Sequence, residues 1–334
     1  MVAKGNSHLL FSVLAIVGIF LMGWYGHKMY TIRNGDAYTK ITKLVRESAT
    51  PYAFTNPLLF IDNGGVVFSD LNPLKERWDD LRKQAIQNGE AQKISIYFRN
   101  LNNTSWTGIE EDELFDLASL KKLILLIAYL RSAEDDPALA SKEIYYHGDR
   151  DDDAFYKSNH FLKKGQIYPV RDLIVDMIVK SGNDSANSIF EDFDEHELAQ
   201  VYIDLDLPFP EVGKVDLISP KIYSRLFRIL YSSTYLQRDL SEQALLLLSQ
   251  AEFDKGLTAL LPSDLIVAHK FGERITVLPS GQNEFQLHDC GIVYYPDNPY
   301  FLCVMTKGTD FLKLEGVIAK ISLLTYEYWG DRSK

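Results

Sequence analysis

Hydrophobic and polar positions change their period several times along the chain, and each change marks an element. Residues 9–25 (LLFSVLAIVGIFLMGWY) are an uncharged apolar run, just long enough to cross the hydrocarbon core of a bilayer as a helix. The run ends on Met22, Trp24 and Tyr25 rather than the small residues a signal peptidase needs. The expectation is therefore an uncleaved anchor over residues 1–30, with a cleaved signal as the alternative. Residues 31–50 are polar and mixed, a juxtamembrane spacer. From residue 51 to 334 the chain reads as one globular domain.

Within it, residues 73–88 carry Leu74, Trp78, Leu81 and Ala85 at helical spacing. Residues 93–99 (KISIYFR) alternate as a strand, 101–104 make a turn, and 105–109 return as the second strand of a hairpin. Residues 117–130 (LASLKKLILLIAYL) are apolar with no polar stripe, which predicts a helix buried on most sides. A polar, loop-rich stretch fills 133–168. An amphipathic helix over 170–180 is broken at Gly182, and Asp184 is positioned to cap a further helix over 185–193. A loop with three prolines and a glycine spans 207–220, followed by helices over 220–234 and 241–250. Strands are predicted over 265–270, 284–295 and 300–307, then a long amphipathic helix over 309–329. A tight turn at Asp297-Asn298 would set Cys290 opposite Met305 and Cys303 opposite Ile292. The cysteines would then be diagonal neighbours, a poor arrangement for a disulfide.

Composition changes this picture little. A net charge of −11 argues against nucleic-acid binding. Two cysteines exclude both a disulfide scaffold and a cysteine-based zinc site. The acidic run DRDDD at 149–153 lacks the spacing of a calcium loop and reads as solvated surface, and His147 and His160 beside it carry no assigned role.

The chemistry sits at the start of the buried helix. Ser119 and Lys122 are three residues apart, on one helical face, so the amine can reach the hydroxyl. A serine needs such a base to act as a nucleophile, and a lysine serves as one only if burial or a nearby cation lowers its pKa. Further on, Ser181-Gly182-Asn183 forms a polar cluster between two helices, and Lys270-Phe271-Gly272 opens onto a strand.

These three elements, in this order, resemble the penicillin-recognising serine hydrolases, and class A β-lactamases most closely. The likeness extends to the flanks FRNLNNTSWTGIEEDELFDLASLKK, YPVRDLIVDMIVKSGNDSANSIF and VAHKFGE, and covers roughly residues 90–334. It implies an α/β (α+β) fold of the β-lactamase/transpeptidase-like type, an antiparallel sheet flanked by helices plus an all-helical lobe. It implies that Ser119 becomes the acyl-enzyme, that Lys122 takes its proton and that Ser181 relays a proton to the leaving nitrogen. Asn183 would hold a substrate amide. Lys270, with Gly272 beside it, would support Ser181 and attract a substrate carboxylate. The backbone N–H groups of Ser119 and Glu273 would form the oxyanion hole.

Three departures from the family pattern stand out. Gly182 replaces an aspartate, so the hydrogen bonds of that aspartate are missing. Phe271 replaces a serine or threonine that binds the substrate carboxylate. The loop LDLPFPEVGKVDLISP is short and holds one glutamate, Glu211, as a deacylating base, with Asp204, Asp206 and Asp216 as the other carboxylates. The expectation is a membrane-anchored serine hydrolase that acylates with a β-lactam or peptidoglycan-type peptide and releases it slowly, as a monomer, without cofactor or metal. The resemblance places the domain outside the cytoplasm, although Lys28, Arg33, Lys40 and Lys43 follow the apolar run. The rival is a non-catalytic binding module on the same fold.

Overall fold

A computed structural model describes residues 43–46, 51–62, 71–103, 105–148, 154–158, 161–210 and 213–332. The chain divides into two compact units, Met1–Lys43 with Ile61–Phe68 and Leu44–Phe60 with Ser69–Lys334. The apolar run at 9–25, the acidic run at 149–153, His160 and Glu211 lie outside the described residues. Among the described residues no helix is long and apolar enough to cross a membrane. The stretch read as a spacer contains a short strand, β1 (Lys43–Arg46), and β2 is Leu58–Asp62.

The second unit is built on a five-stranded sheet. Its strands are β3 (Lys93–Asn100), β4 (Trp106–Ile109), β9 (Val267–Val277), β10 (Asn283–Val293) and β11 (Tyr300–Gly308). They lie in the order β4-β3-β11-β10-β9, antiparallel throughout. Alternate residues of a strand face opposite sides of a sheet, and here both sides are covered. One side carries Ile94, Ile96, Phe98, Leu302 and Val304 against α1 (Asn72–Gln87) and α8 (Phe311–Arg332). Trp78 of α1 is fully buried and donates its indole N–H to Thr325 Oγ1 of α8 at 3.0 Å.

The other side carries Tyr97, Ala268, Cys290, Ile292, Phe301, Cys303 and Met305 against the helical lobe. That lobe comprises α2 (Lys121–Asp135), α3 (Val170–Val179), α4 (Asn183–Asp192), α5 (Glu195–Asp204), α6 (Pro220–Ser232) and α7 (Arg238–Ser249). Residues Lys122 to Tyr129 of α2 are all buried, as its unbroken apolar pattern requires. The architecture is the expected antiparallel sheet flanked by helices with a helical lobe.

Four details differ from the sequence reading. The stretch 133–168 is not all loop: α2 runs on to Asp135, and β6 (Glu143–Tyr146) pairs with β7 (Gln166–Pro169). Strands of four residues are too short to show a period. Asp184 does not cap α4. Gly182 stands at that cap without a side-chain hydrogen bond, and Asp184 is buried in the first turn. The helix α5 closes a segment that showed no clear period.

The last difference is the register of the final hairpin. The loop turns one residue earlier than Asp297-Asn298: Asn298 N–H donates to Tyr295 O at 3.0 Å, with Pro296 and Asp297 at the corners. Asp297 has φ 57°, and proline followed by a left-handed residue is the pattern of a type II turn. That shift sets Cys290 directly opposite Cys303, with Cα atoms 3.9 Å apart, and the two are disulfide-bonded. The bond is buried in the sheet face that meets the helical lobe. Thiol titration of the protein unfolded without reductant should therefore find none of its two cysteines reactive, and both after reduction. Two reactive thiols before reduction would contradict this register.

Candidate active site

The sheet edge β9 meets the helical lobe along a cleft of about 700 Å³ lined by Ser119, Lys122, Ser181, Asn183 and Glu273 among others. Its floor begins at Asp116, the last residue of β5 (Phe115–Asp116), which pairs with β8 (Leu217–Ile218). The buried Asp116 carboxylate accepts from Ala118 N–H at 2.8 Å and from Arg274 Nε of β9 at 3.0 Å. Ala118 has φ 43°, a strained conformation for a residue with a side chain, and it starts the 3-10 turn Ala118–Leu120 that presents Ser119. The helix α2 continues directly from that turn, which puts Lys122 behind Ser119 and in the interior.

Lys122, 2% exposed, has its ammonium group spanning the second motif. It donates to Ser181 O, to Ser181 Oγ at 3.3 Å and to Asn183 Oδ1 at 2.8 Å. Lys270, 1% exposed, reaches the same hydroxyl from the sheet, donating to Ser181 Oγ at 2.8 Å and to Phe271 O at 3.1 Å. Burial, and then the charge of Lys122, hold the Lys270 ammonium well below its ordinary pKa. Gly272 stands where β9 crosses the Ala118–Leu120 turn. A Cβ there would lie 3.2 Å from Leu120 N and 3.4 Å from Ser119 N, so the missing side chain lets the strand approach that backbone. The residues singled out from the sequence thus converge, apart from Glu211, which lies outside the described residues.

The aspartate that the sequence lacks at position 182 has a replacement. An ideal Cβ on Gly182 would lie 2.0 Å from Asp176 Oδ2. Asp176 of α3 is fully buried; its Oδ2 accepts from Ser185 Oγ at 2.6 Å, and its carbonyl accepts from Gly182 N–H at 3.0 Å. The Asp176 backbone carbonyl therefore holds the turn at Gly182, while its carboxylate, reaching in from the preceding helix, binds Ser185 and fills the space beside the glycine. Ser181 has φ 59°, so this turn needs holding. Position 176 is six residues before the glycine, and nothing in the local pattern connects the two.

Sequence reasoning also missed the Glu273 side chain and the Asp116–Arg274 pair. The carboxylates near the acyl site sort by position. Asp204 is held by Gln200 and Tyr235, and Asp206 pairs with Arg225, both beside a second cavity. Asp216 lines the Ser119 cleft, and its carbonyl accepts from Leu117 N–H at 2.8 Å. His147 is exposed and lies 3.2 Å from Glu191. Among the described residues no group of three or more His, Cys, Asp or Glu could hold a metal.

A sequence model of the beta-lactamase enzyme family matches residues 76–329. No curated protein matches the chain in sequence. Solved structures do match in fold. A mutant of PBP-A captured as an acyl-enzyme complex with penicillin G superposes with a TM-score of 0.65 at 18% identity, covering 78% of this chain and 97% of that one. A beta-lactamase from Chitinophaga pinensis gives 0.65 at 19% identity, covering 77% and 99%. A class A beta-lactamase from Mycobacterium abscessus gives 0.64 at 18%, covering 77% and 99%. At these identities the likeness is one of fold.

Two predictions follow from the geometry. Gly182→Ala forces Cβ against a buried carboxylate and should lower stability by about 1–3 kcal/mol in urea unfolding, the usual cost of overpacking; an unchanged midpoint would remove Asp176 from this role. The buried Lys270 ammonium has a depressed pKa, so the unfolded chain binds more protons than the folded one between that pKa and the ordinary lysine value. Stability contributed at this site accordingly rises with pH across that window and is lowest beneath it. Lys270→Met should be the more stable protein near neutral pH, and its advantage should shrink towards pH 10.5.

Proposed function

Because the chain belongs to the beta-lactamase enzyme family and is a serine hydrolase, we propose that Ser119 is its nucleophile and that it forms an acyl-enzyme with a β-lactam or a peptidoglycan-type peptide. The observation that carries this reading is the convergence of Lys122 and Lys270 on the Ser181 hydroxyl in the cleft that Ser119 lines. Ser119 Oγ attacks the carbonyl carbon and its proton passes to Lys122 in its neutral amine form, which hands a proton on to Ser181. Ser181, held between the two lysines, passes a proton to the leaving nitrogen as the C–N bond breaks. Asn183 orients the acyl side chain. The N–H groups of Ser119 and Glu273 receive the negative oxygen, where Gly272 brings strand and turn together.

Release of the acyl group needs a base for water. Glu211 remains one proposal for it, and Asp216, on the cleft wall, is the other. No asparagine follows Glu211 in this loop, as one follows the glutamate of class A enzymes, which supports slow deacylation. The apolar run at 9–25 supports a single-pass anchor, with the catalytic domain outside the cytoplasm.

Fluorescent penicillin should label the parent, and Ser119→Ala should remove the label without costing more than about 1 kcal/mol of stability. Lys122→Ala should slow labelling by about 10² to 10⁴, while the exposed Lys121→Ala should leave it nearly unchanged. A chromogenic cephalosporin should give a burst of about one equivalent and then turnover well below the roughly 10 s⁻¹ of an ordinary enzyme. Label that survives on Ser119→Ala would defeat the assignment, and absence of label on the parent would favour a binding module.

A further inference from the structure

Glu273 brings a carboxylate into the cleft that the acylation scheme leaves unused. On β9 the side chains alternate, so Lys270 and Gly272 face the helical lobe while Phe271 and Glu273 face the other way, at the open edge of the sheet. The Phe271 side chain brings no hydrogen-bonding atom to the cleft wall. Its ring is buried, stacks on Phe253 at 4.0 Å, meets Tyr156 edge-on at 5.8 Å and lies 4.5 Å from Lys270 Nζ.

Glu273 follows two residues later. Its Oε1 accepts from Phe155 N–H at 2.9 Å and Tyr156 N–H at 3.3 Å, tying segment 154–158 to the strand. Its Oε2 is buried and has no hydrogen-bond partner among the described residues. Burial pushes this carboxyl above its ordinary pKa, while the two N–H groups, Lys122 and Lys270 pull the other way. The two interior lysines of the cleft therefore already have an anion of the protein's own within their field. The neighbouring guanidinium of Arg274 is engaged by Asp116 at 3.0 Å. Lys121 and Lys214 are exposed on the rim, where water and salt screen them.

We infer that Glu273 sets the substrate class of this cleft: it selects acyl donors that are uncharged beside the scissile bond, an internal amide or an ester, over donors that end in a carboxylate. The inference rests on Ser119 being the nucleophile. A substrate carboxylate entering beside Lys270 would meet Glu273 as a second anion, and like charges oppose each other. It would also find an aromatic ring rather than a hydroxyl donor.

The test is a matched pair of probes, benzylpenicillin and its methyl ester, which share the ring that opens and differ in one charge. Adduct formation on Ser119 is followed by intact-protein mass spectrometry on the parent, Glu273→Gln and Glu273→Asp. The parent should react at least tenfold faster with the ester. Glu273→Gln keeps the shape and an acceptor for the 155–156 N–H groups, and should reduce that ratio at least tenfold, chiefly by speeding the free acid. Glu273→Asp keeps the charge and should keep the preference for the ester. A parent that favours the free acid, or a ratio unmoved in Glu273→Gln, overturns the inference while leaving Ser119 as nucleophile. No adduct on Ser119 from either probe overturns the nucleophile and this inference together.

Discussion

Two buried lysines converge on one hydroxyl, and much of the structure exists to make that arrangement bearable. Lys122 and Lys270 come from different layers, the nucleophile helix and the sheet edge, and meet at Ser181. Taking a cation out of water is expensive unless its donors are filled. The molecule fills them with Ser181 O, Asn183 Oδ1 and Phe271 O, and lays the Phe271 ring against Lys270. Behind the strand, Asp289 accepts from Leu257 N–H at 2.8 Å, lies 2.8 Å from His269 Nδ1 and adds a favourable charge for Lys270. Each of these partners fixes a backbone segment, so the electrostatic problem and the placement of the site have one solution.

Two of the six described non-glycine residues with positive φ lie at the same place. Ala118 and Ser181 both have positive φ, and each directly adjoins or belongs to the reactive group. Such conformations persist only where their surroundings over-determine them. Here the surroundings are two buried carboxylates: Asp116 holds the Ala118 N–H, and Asp176 holds the Gly182 N–H through its carbonyl and fills the space beside that glycine. Stability given up in the cleft is recovered in the two apolar cores on either face of the sheet, where the side chains from Ile94 to Phe98 and from Tyr300 to Met305 are almost wholly buried.

How much of this could be read in advance depended on the range of the interaction. The helix behind Ser119 announced itself because α2 is apolar on all sides over its first turns. The strands of the main sheet announced themselves through β-branched and aromatic runs. The candidate site residues were legible because Ser119 and Lys122 stand three residues apart across one continuous turn and helix, and the other two motifs each lie within three residues. What failed was what depends on a second segment. The register of the last hairpin turned on which residue took the left-handed corner, and Asp297 rather than Asn298 took it. One position of error moved Cys303 from a diagonal neighbour of Cys290 to its direct partner. The four-residue pair β6 and β7 had too few positions to show alternation.

The replacement at position 182 shows why a motif should be read as a set of atoms in space. A carboxylate beside Ser181 is what the turn needs, to hold Ser185 and occupy the volume next to the glycine. Whether it hangs from position 182 or from position 176 on the helix before is indifferent to the chemistry, because α3 and α4 pack side by side and bring both positions to one point. The glycine is then not a loss but the condition for the substitution, since any side chain at 182 would collide with Asp176. Phe271 and Glu273 stand in the same relation on the sheet side. The strand still delivers Lys270 to Ser181 and Gly272 to the nucleophile turn, both fixed by the packing of strand on helix. The two residues whose side chains alternate away from that packing, Phe271 and Glu273, give the cleft wall an aromatic ring and a carboxylate.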